Sequence, residues 1–172
     1  MKEIEPNKKI SKMMVSLAWI GFLAMLVIGF DRYLDKQKNP NNRPEVVYAE
    51  DGASEVTLVQ NRQGHYIADG KLNDHWATFV LDTGATNISI PRQVASEMGL
   101  TEGKPERTRT ANGDITVYRV VLDSVKLGSI ELKNIPANIN PNMNGKAVLL
   151  GMSFLKHLEL NQKDKTLTLR IK

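Results

Sequence analysis

Phe79-Val80-Leu81-Asp82-Thr83-Gly84-Ala85-Thr86 is the stretch that decides how the chain is read. Apolar strand residues run straight into a carboxylate, which is followed by a small hydroxylated residue, a glycine and a second short strand, Asn87-Ile88-Ser89-Ile90. A strand buried on both sides would fix the position of Asp82. Gly84 would let the backbone turn tightly and be approached closely, and Thr83 could hydrogen-bond locally to hold the loop. Asp82-Thr83-Gly84 alone also fits an ordinary Asx turn between strands, so its meaning depends on what surrounds it.

Outward from that loop, residues 54–172 consist of short β-prone runs separated by turn residues, which points to an all-β domain. Val56 and Leu58 alternate with polar neighbours, Tyr66 and Ile67 precede an expected Asp69-Gly70 turn, and residues 76–81 form a largely apolar strand. Residues 108–111 and 115–122 flank Asn112-Gly113, a dipeptide suited to a tight hairpin. Residues 130–132, 147–150 and 166–171 continue the pattern. Helices are expected over 91–98, with Pro91 in the first turn and Gly99 as the stop, and briefly after Gly151.

Residues 13–30 form an uncharged apolar run long enough to cross a bilayer's hydrocarbon core. Phe30-Asp31-Arg32 after it offers no small-residue cleavage site, so the run reads as an uncleaved anchor and not as a signal peptide. Lys2, Lys8, Lys9 and Lys12 before it are matched by Arg32, Lys36, Lys38 and Arg43 after it, and charge barely sets the orientation. The short leading tail favours a cytoplasmic N-terminus. The expected organisation is a tail over 1–12, a transmembrane helix over 13–30, a polar, flexible tether over 31–53 and a folded domain over 54–172.

Composition narrows the chemistry. With 41% hydrophobic and 24% charged residues the chain is neither collagenous nor wholly disordered. Its net charge of +4 is spread out, with no basic block interleaved with aromatics, so nucleic acid is not an expected partner. The absence of cysteine removes disulfides, thiolate metal sites and thiol nucleophiles. His65, His75 and His157 lie far apart without zinc spacing, no serine sits in a Gly-x-Ser-x-Gly elbow, and there is no phosphate loop. Neither a metal nor a cofactor is expected.

Several features now recur in order. Val80-Leu81 precede Asp82 to Thr86, a strand and helix lead to Gly99-Leu100, Thr110-Ala111-Asn112-Gly113 sits where a hairpin tip belongs, and Val148-Leu149-Leu150-Gly151-Met152-Ser153-Phe154-Leu155 runs into a helix. In this order the domain resembles the retroviral-type (retropepsin-like) aspartic proteases, and more closely the bacterial branch with a single N-terminal membrane anchor. The resemblance spans about residues 56–171. It implies an acid protease barrel with a flap hairpin and one or two short helices, in which Asp82 is catalytic and Thr83, Gly84, Ala85 and Thr86 form the active-site loop. It further implies a flap at Ala111, Asn112 and Gly113, and support of the substrate cleft by Leu149, Leu150 and Gly151.

Peptide hydrolysis by carboxylates needs a pair sharing one proton, and one Asp-Thr-Gly per chain supplies half of it. The resemblance therefore implies a homodimer acting on an extended peptide, held by main-chain hydrogen bonds and apolar side-chain pockets. It also implies a bacterial inner-membrane protein with a cytoplasmic N-terminus and a periplasmic protease domain. The alternative is a catalytically silent, membrane-tethered peptide-binding or assembly module with the same fold.

Overall fold

The computed structural model describes residues 8–48, 54–110 and 113–172. The chain divides into two units at Gln37 and Lys38. The first is essentially one helix, α1 (Lys8–Lys38), which continues past the apolar run ending at Phe30. Leu17, Trp19, Ile20, Phe22, Leu23, Val27 and Ile28 are all exposed on it. A helix apolar on every side needs an apolar medium, and over 12–38 it is long and apolar enough to cross a membrane.

The second unit is the expected all-β domain. Its elements are β1 (Glu45–Tyr48), β2 (Ser54–Val59), β3 (Ile67–Leu72), β4 (His75–Leu81), β5 (Ile88–Pro91), α2 (Arg92–Glu97), β6 (Pro105–Thr110), β7 (Gly113–Leu127), β8 (Ile130–Asn140), β9 (Ala147–Leu150), α3 (Met152–Leu155), β10 (Leu158–Lys163) and β11 (Thr166–Ile171). Strands in the order β3-β4-β9-β5-β8-β7 close into a six-stranded barrel through a β3–β7 pairing, and β6 hangs on the outer side of β7. A four-stranded sheet, β1-β2-β11-β10, adjoins it. Strand alternation explains the shared core: Phe79, Ile88, Ile90, Leu122, Ile139, Val148 and Leu150 of the barrel are fully buried together with Val56, Leu58 and Leu169 of the sheet.

One turn falls elsewhere than the dipeptide suggested. Asp69-Gly70 lies inside β3, and the reversal comes at Asn73-Asp74, where φ is 44° and 66° between the paired residues Leu72 and His75. Asn and Asp tolerate this left-handed backbone, and two such residues in a row suit a tight antiparallel hairpin. Gly70 has a packing reason instead: a Cβ there would come within 2.3 Å of the Lys126 carbonyl oxygen and 2.5 Å of the Phe79 ring. In the β6–β7 hairpin Thr110 pairs with Gly113, and Asn112 of the expected Asn112-Gly113 turn lies outside the described residues. Strand β10 was not anticipated because its alternation is limited to Leu158-Glu159-Leu160 before the polar Asn161-Gln162-Lys163.

The segment after α1 also differs from a free tether. Asn41 is 4% exposed, and its Nδ2 donates to the carbonyls of Val59 (2.9 Å) and Ile67 (2.7 Å) while its Oδ1 accepts from Val59 N–H (2.7 Å). Asn39 Nδ2 donates to Asp69 Oδ1 at 2.8 Å, and Asn61 Nδ2 donates to the Lys38 carbonyl at 3.0 Å. A segment too polar to join a core is thus held by side-chain amides that satisfy strand-edge backbone groups. The expected tether residues 49–53 lie outside the described residues. Replacing Asn41 by Ala strands three backbone groups of β2 and β3, and should lower stability by about 2–4 kcal/mol. Urea unfolding of the full chain in detergent measures this, and a loss under about 0.5 kcal/mol would show that the amide staple contributes little.

Candidate active site

Strand β4 delivers Asp82. Leu81 N–H donates to the Tyr66 carbonyl at 3.0 Å and Asp82 N–H to the Leu150 carbonyl at 3.2 Å, so the backbone is held from two sides up to the carboxylate. The chain then turns: Asp82 Oδ1 accepts from Gly84 N–H at 2.8 Å, and the Asp82 carbonyl accepts from Ala85 N–H at 3.2 Å. One carboxylate oxygen is therefore committed to orienting the group. Asp82 and Ala85 are half-buried, whereas Thr83, Gly84 and Thr86 are exposed. Among the described residues the Thr83 hydroxyl makes no hydrogen bond, so the loop is held by the Asp82 carboxylate and by backbone bonds, and not by Thr83 as expected.

The far side of the loop rests on the start of α3. Met152 N–H donates to the Ala85 carbonyl at 2.8 Å, Ser153 N–H to the Thr86 carbonyl at 2.9 Å, and Ile88 N–H to Ser153 Oγ at 3.0 Å. The unpaired N–H groups of a helix's first turn thereby find partners in the active-site loop. Gly151 makes the contact possible, because a Cβ there would lie 2.3 Å from the Asn87 carbonyl oxygen and 2.6 Å from that of Ala85. Of the expected supporting residues, Leu149 lines the cleft, Leu150 faces the core and lends its carbonyl to Asp82, and Gly151 gives room. Ser153, 4% exposed, was missed. Its signal was a lone hydroxyl in the apolar run Met152-Ser153-Phe154-Leu155.

Asp82 opens onto a cleft of about 330 Å³, lined by its own loop and by Thr108, Arg109 and Thr110 of β6. Asp82 is the only acidic side chain lining this cleft among the described residues. In the hairpin, Thr110 Oγ1 donates to the Gly113 carbonyl at 2.8 Å, and Gly113 has φ 108°. Ala111 and Asn112, the other expected flap residues, lie outside the described residues. Arg119 braces the hairpin by gripping Glu106 with Nε and Nη2 at 2.5 and 2.9 Å. The guanidinium hydrogen bonds hold the Glu106 carboxyl below its ordinary range and raise Arg119. A lowered folded-state value means that this brace is in force at neutral pH and lost as pH falls through it, with an effect kept small by exposure. Arg92 pairs with Glu102 at 2.6 Å and lies 5.4 Å from the Tyr118 ring centre, tying α2 to the segment that leads into β6 and to β7. His65, His75 and His157 are exposed and none lines the cleft.

A closed six-stranded barrel with an Asp-Thr-Gly loop under a hairpin defines the retropepsin-like aspartic protease fold. The chain belongs to the family described as gag-polyprotein putative aspartyl protease, whose family model matches residues 68–157. Among solved structures it is similar to a retropepsin-like aspartic protease from Rickettsia conorii, with a TM-score of 0.59 and 27% identity over 74% of this chain and 94% of that one. Curated relatives include an uncharacterised protein of Rickettsia prowazekii (strain Madrid E), 32% identical over 116 residues, which are 66% of this chain and 49% of the relative. Another is an uncharacterised protein in the cobV 5′ region of a Sinorhizobium species, 30% identical over 123 residues, 70% of this chain and 53% of the relative. The chain spans about half the length of these curated relatives.

The close approach at Gly151 yields a direct test of what holds the loop. Gly151→Ala should cost at least about 2 kcal/mol, because the methyl group meets backbone oxygens that cannot rotate away. A full-length variant unfolding at the same denaturant midpoint as the wild type would show that the loop has more freedom than this packing allows.

Proposed function

We propose that the protein is a membrane-anchored aspartic endopeptidase that works as a homodimer, each subunit contributing Asp82 to a shared pair. The observation that carries this reading is the Asp82 carboxylate itself: held by Gly84 N–H, fixed by backbone bonds to β9, and placed at the floor of a cleft under a hairpin. The family and fold support peptide hydrolysis as the reaction.

One carboxylate cannot both activate a water molecule and protonate the substrate carbonyl. The cleft offers no second acid among the described residues, so the partner group comes from a second copy, which a two-fold axis beside Asp82 and Thr83 would supply. The exposure of Thr83 and Gly84 suits such a contact. In the pair, the ionised carboxyl takes a proton from water as it attacks the scissile carbonyl, and the protonated carboxyl donates to the carbonyl oxygen. Thr83 braces the two loops across the axis, and residues 111–113 of the two hairpins close over the substrate. The helix α1 holds the enzyme in the bacterial inner membrane with the protease domain periplasmic, and confinement to two dimensions raises the concentration available for pairing.

Asp82→Asn removes the ionisable group while keeping its volume. It should lower cleavage of a denatured protein by at least about a thousandfold in the full chain held in detergent, with fold and dimer retained. Because a working pair holds one proton, wild-type cleavage should rise as pH falls below neutral. Full activity of the variant would refute the role of Asp82, a flat profile from about pH 4 to 8 would refute the shared proton, and an inert wild type under dimer-forming conditions would favour a peptide-binding module. A reporter fused after Lys172 should be active only in the periplasm, and activity in the cytoplasm would reverse the orientation.

A further inference from the structure

The resemblance implied apolar side-chain pockets, and Tyr66, Leu81, Leu155 and Leu167 line one beside Asp82, but the wall of the cleft on β9, β5 and β8 carries polar groups. Strands β9, β5 and β8 lie side by side, and their register sets Leu149, Ser89 and Asn138 in one row across them. Alternation sends Ile88, Ile90, Ala137, Ile139, Val148 and Leu150 to the core and turns that row towards the cleft, with Asn140 following on β8. Two of the three side chains in the row are therefore hydrogen-bonding groups where an aliphatic pocket would need apolar ones.

These groups have direction. Ser89 and Asn138 are each 8% exposed, and Ser89 Oγ donates to Asn138 Oδ1 at 2.9 Å. The bond fixes the amide and leaves both Asn138 Nδ2 hydrogens without a partner among the described residues. Asn140 Oδ1 is likewise occupied, accepting from Asn142 N–H at 2.9 Å, which leaves its amide hydrogens to donate. Arg109, which lines the same cleft, is 3.8 Å from Asp114. Apart from Asp82, the unspent capacity of this wall is mainly donor capacity, and a nine-tenths buried donor facing an aliphatic ligand would lose its water and gain nothing.

We infer that Ser89, Asn138 and Asn140 form a substrate subsite next to the scissile bond that takes a side chain offering an acceptor oxygen: Asn, Gln, Asp or Glu. The inference rests on reading the cleft as a peptide cleft, as proposed above. The carboxamide or carboxyl oxygen accepts from Asn138 Nδ2, while Leu149 packs against the aliphatic part of the same side chain.

The test uses the full chain in detergent and a defined peptide library varied at every position, with cut sites read by mass spectrometry. At one position flanking the cut, Asn, Gln, Asp and Glu should exceed Leu and Val by about tenfold. Ser89→Val with Asn138→Leu should abolish or invert that preference and leave preferences elsewhere as they were. Asn138→Asp keeps the volume and exchanges donors for acceptors, so it should disfavour Asp and Glu there even if the double variant fails to fold. Aliphatic preference at every position, or a polar preference that survives both sets of substitutions, overturns the subsite while leaving the protease reading intact. Should the wild type cut nothing, the protease reading fails, and the subsite is judged by binding to Asp82→Asn. Fluorescent peptides differing only by Gln or Leu should then bind about tenfold apart, an interval lost with Asn138→Leu, and equal binding would overturn the subsite.

Discussion

The active-site loop stands where it does because two backbone segments approach more closely than any side chain would permit. Gly151 lies against the carbonyls of Ala85 and Asn87, and the N–H groups just after it donate to Ala85 and Thr86. Without that approach the loop's carbonyls would face solvent, the first-turn N–H groups of α3 would be orphaned, and Asp82 would be anchored on one flank only. The Asp82 carboxylate, bonded to Gly84 N–H, then needs only a short turn to be aimed. Precision at the carboxylate thus comes from pairings more than sixty residues apart in sequence, as Ser153 Oγ and Ile88 N–H illustrate.

The barrel supplies the frame for that pairing. Parallel neighbours β4–β9 and β5–β8 place the C-terminal ends of β4 and β9 together, so the loop after one and the helix after the other emerge side by side. The β3–β7 pairing closes the barrel and leaves no open edge between those strands. Among the described residues β6 pairs only with β7 and contributes no buried side chain to the core. The exposed ion pair of Arg119 with Glu106 adds to the β6–β7 ladder a contact that water and salt weaken.

The sequence made legible the features that depend on local pattern. The all-β class followed from alternation, the helix over 92–97 from Pro91 and Gly99, and the Asp82 loop from an apolar strand ending in Asp-Thr-Gly. Gly99, at φ 69°, ends the helix as a glycine does when only the left-handed region continues the chain. What stayed hidden depends on partners distant in sequence. Gly70 looked like a turn residue but is small because Phe79 and the Lys126 carbonyl crowd it. Asn41 looked like part of a loose linker, since composition counts an amide as polar whether it faces water or two strand edges. Asn138 carries no local signature and Ser153 only a lone hydroxyl in an apolar run, because each acts through a residue on another element.

Strand alternation separates two kinds of constraint within single elements. On β5, Ile88 and Ile90 fill the core while Ser89 between them faces the cleft; on β8, Ala137 and Ile139 do the same around Asn138. Volume and shape in the core are limited by close packing, where even a methylene is felt. The intervening positions answer instead to whatever occupies the cleft, and a hydroxyl or amide there is tolerable so long as its hydrogen bonds are met in the occupied state. The fold can therefore hold Asp82 fixed by its buried faces while the chemistry of the wall beside it varies independently. In this chain Ser89 and Asn138 on that wall are polar, while Ile88, Ile90, Ala137 and Ile139 on either side of them belong to the core.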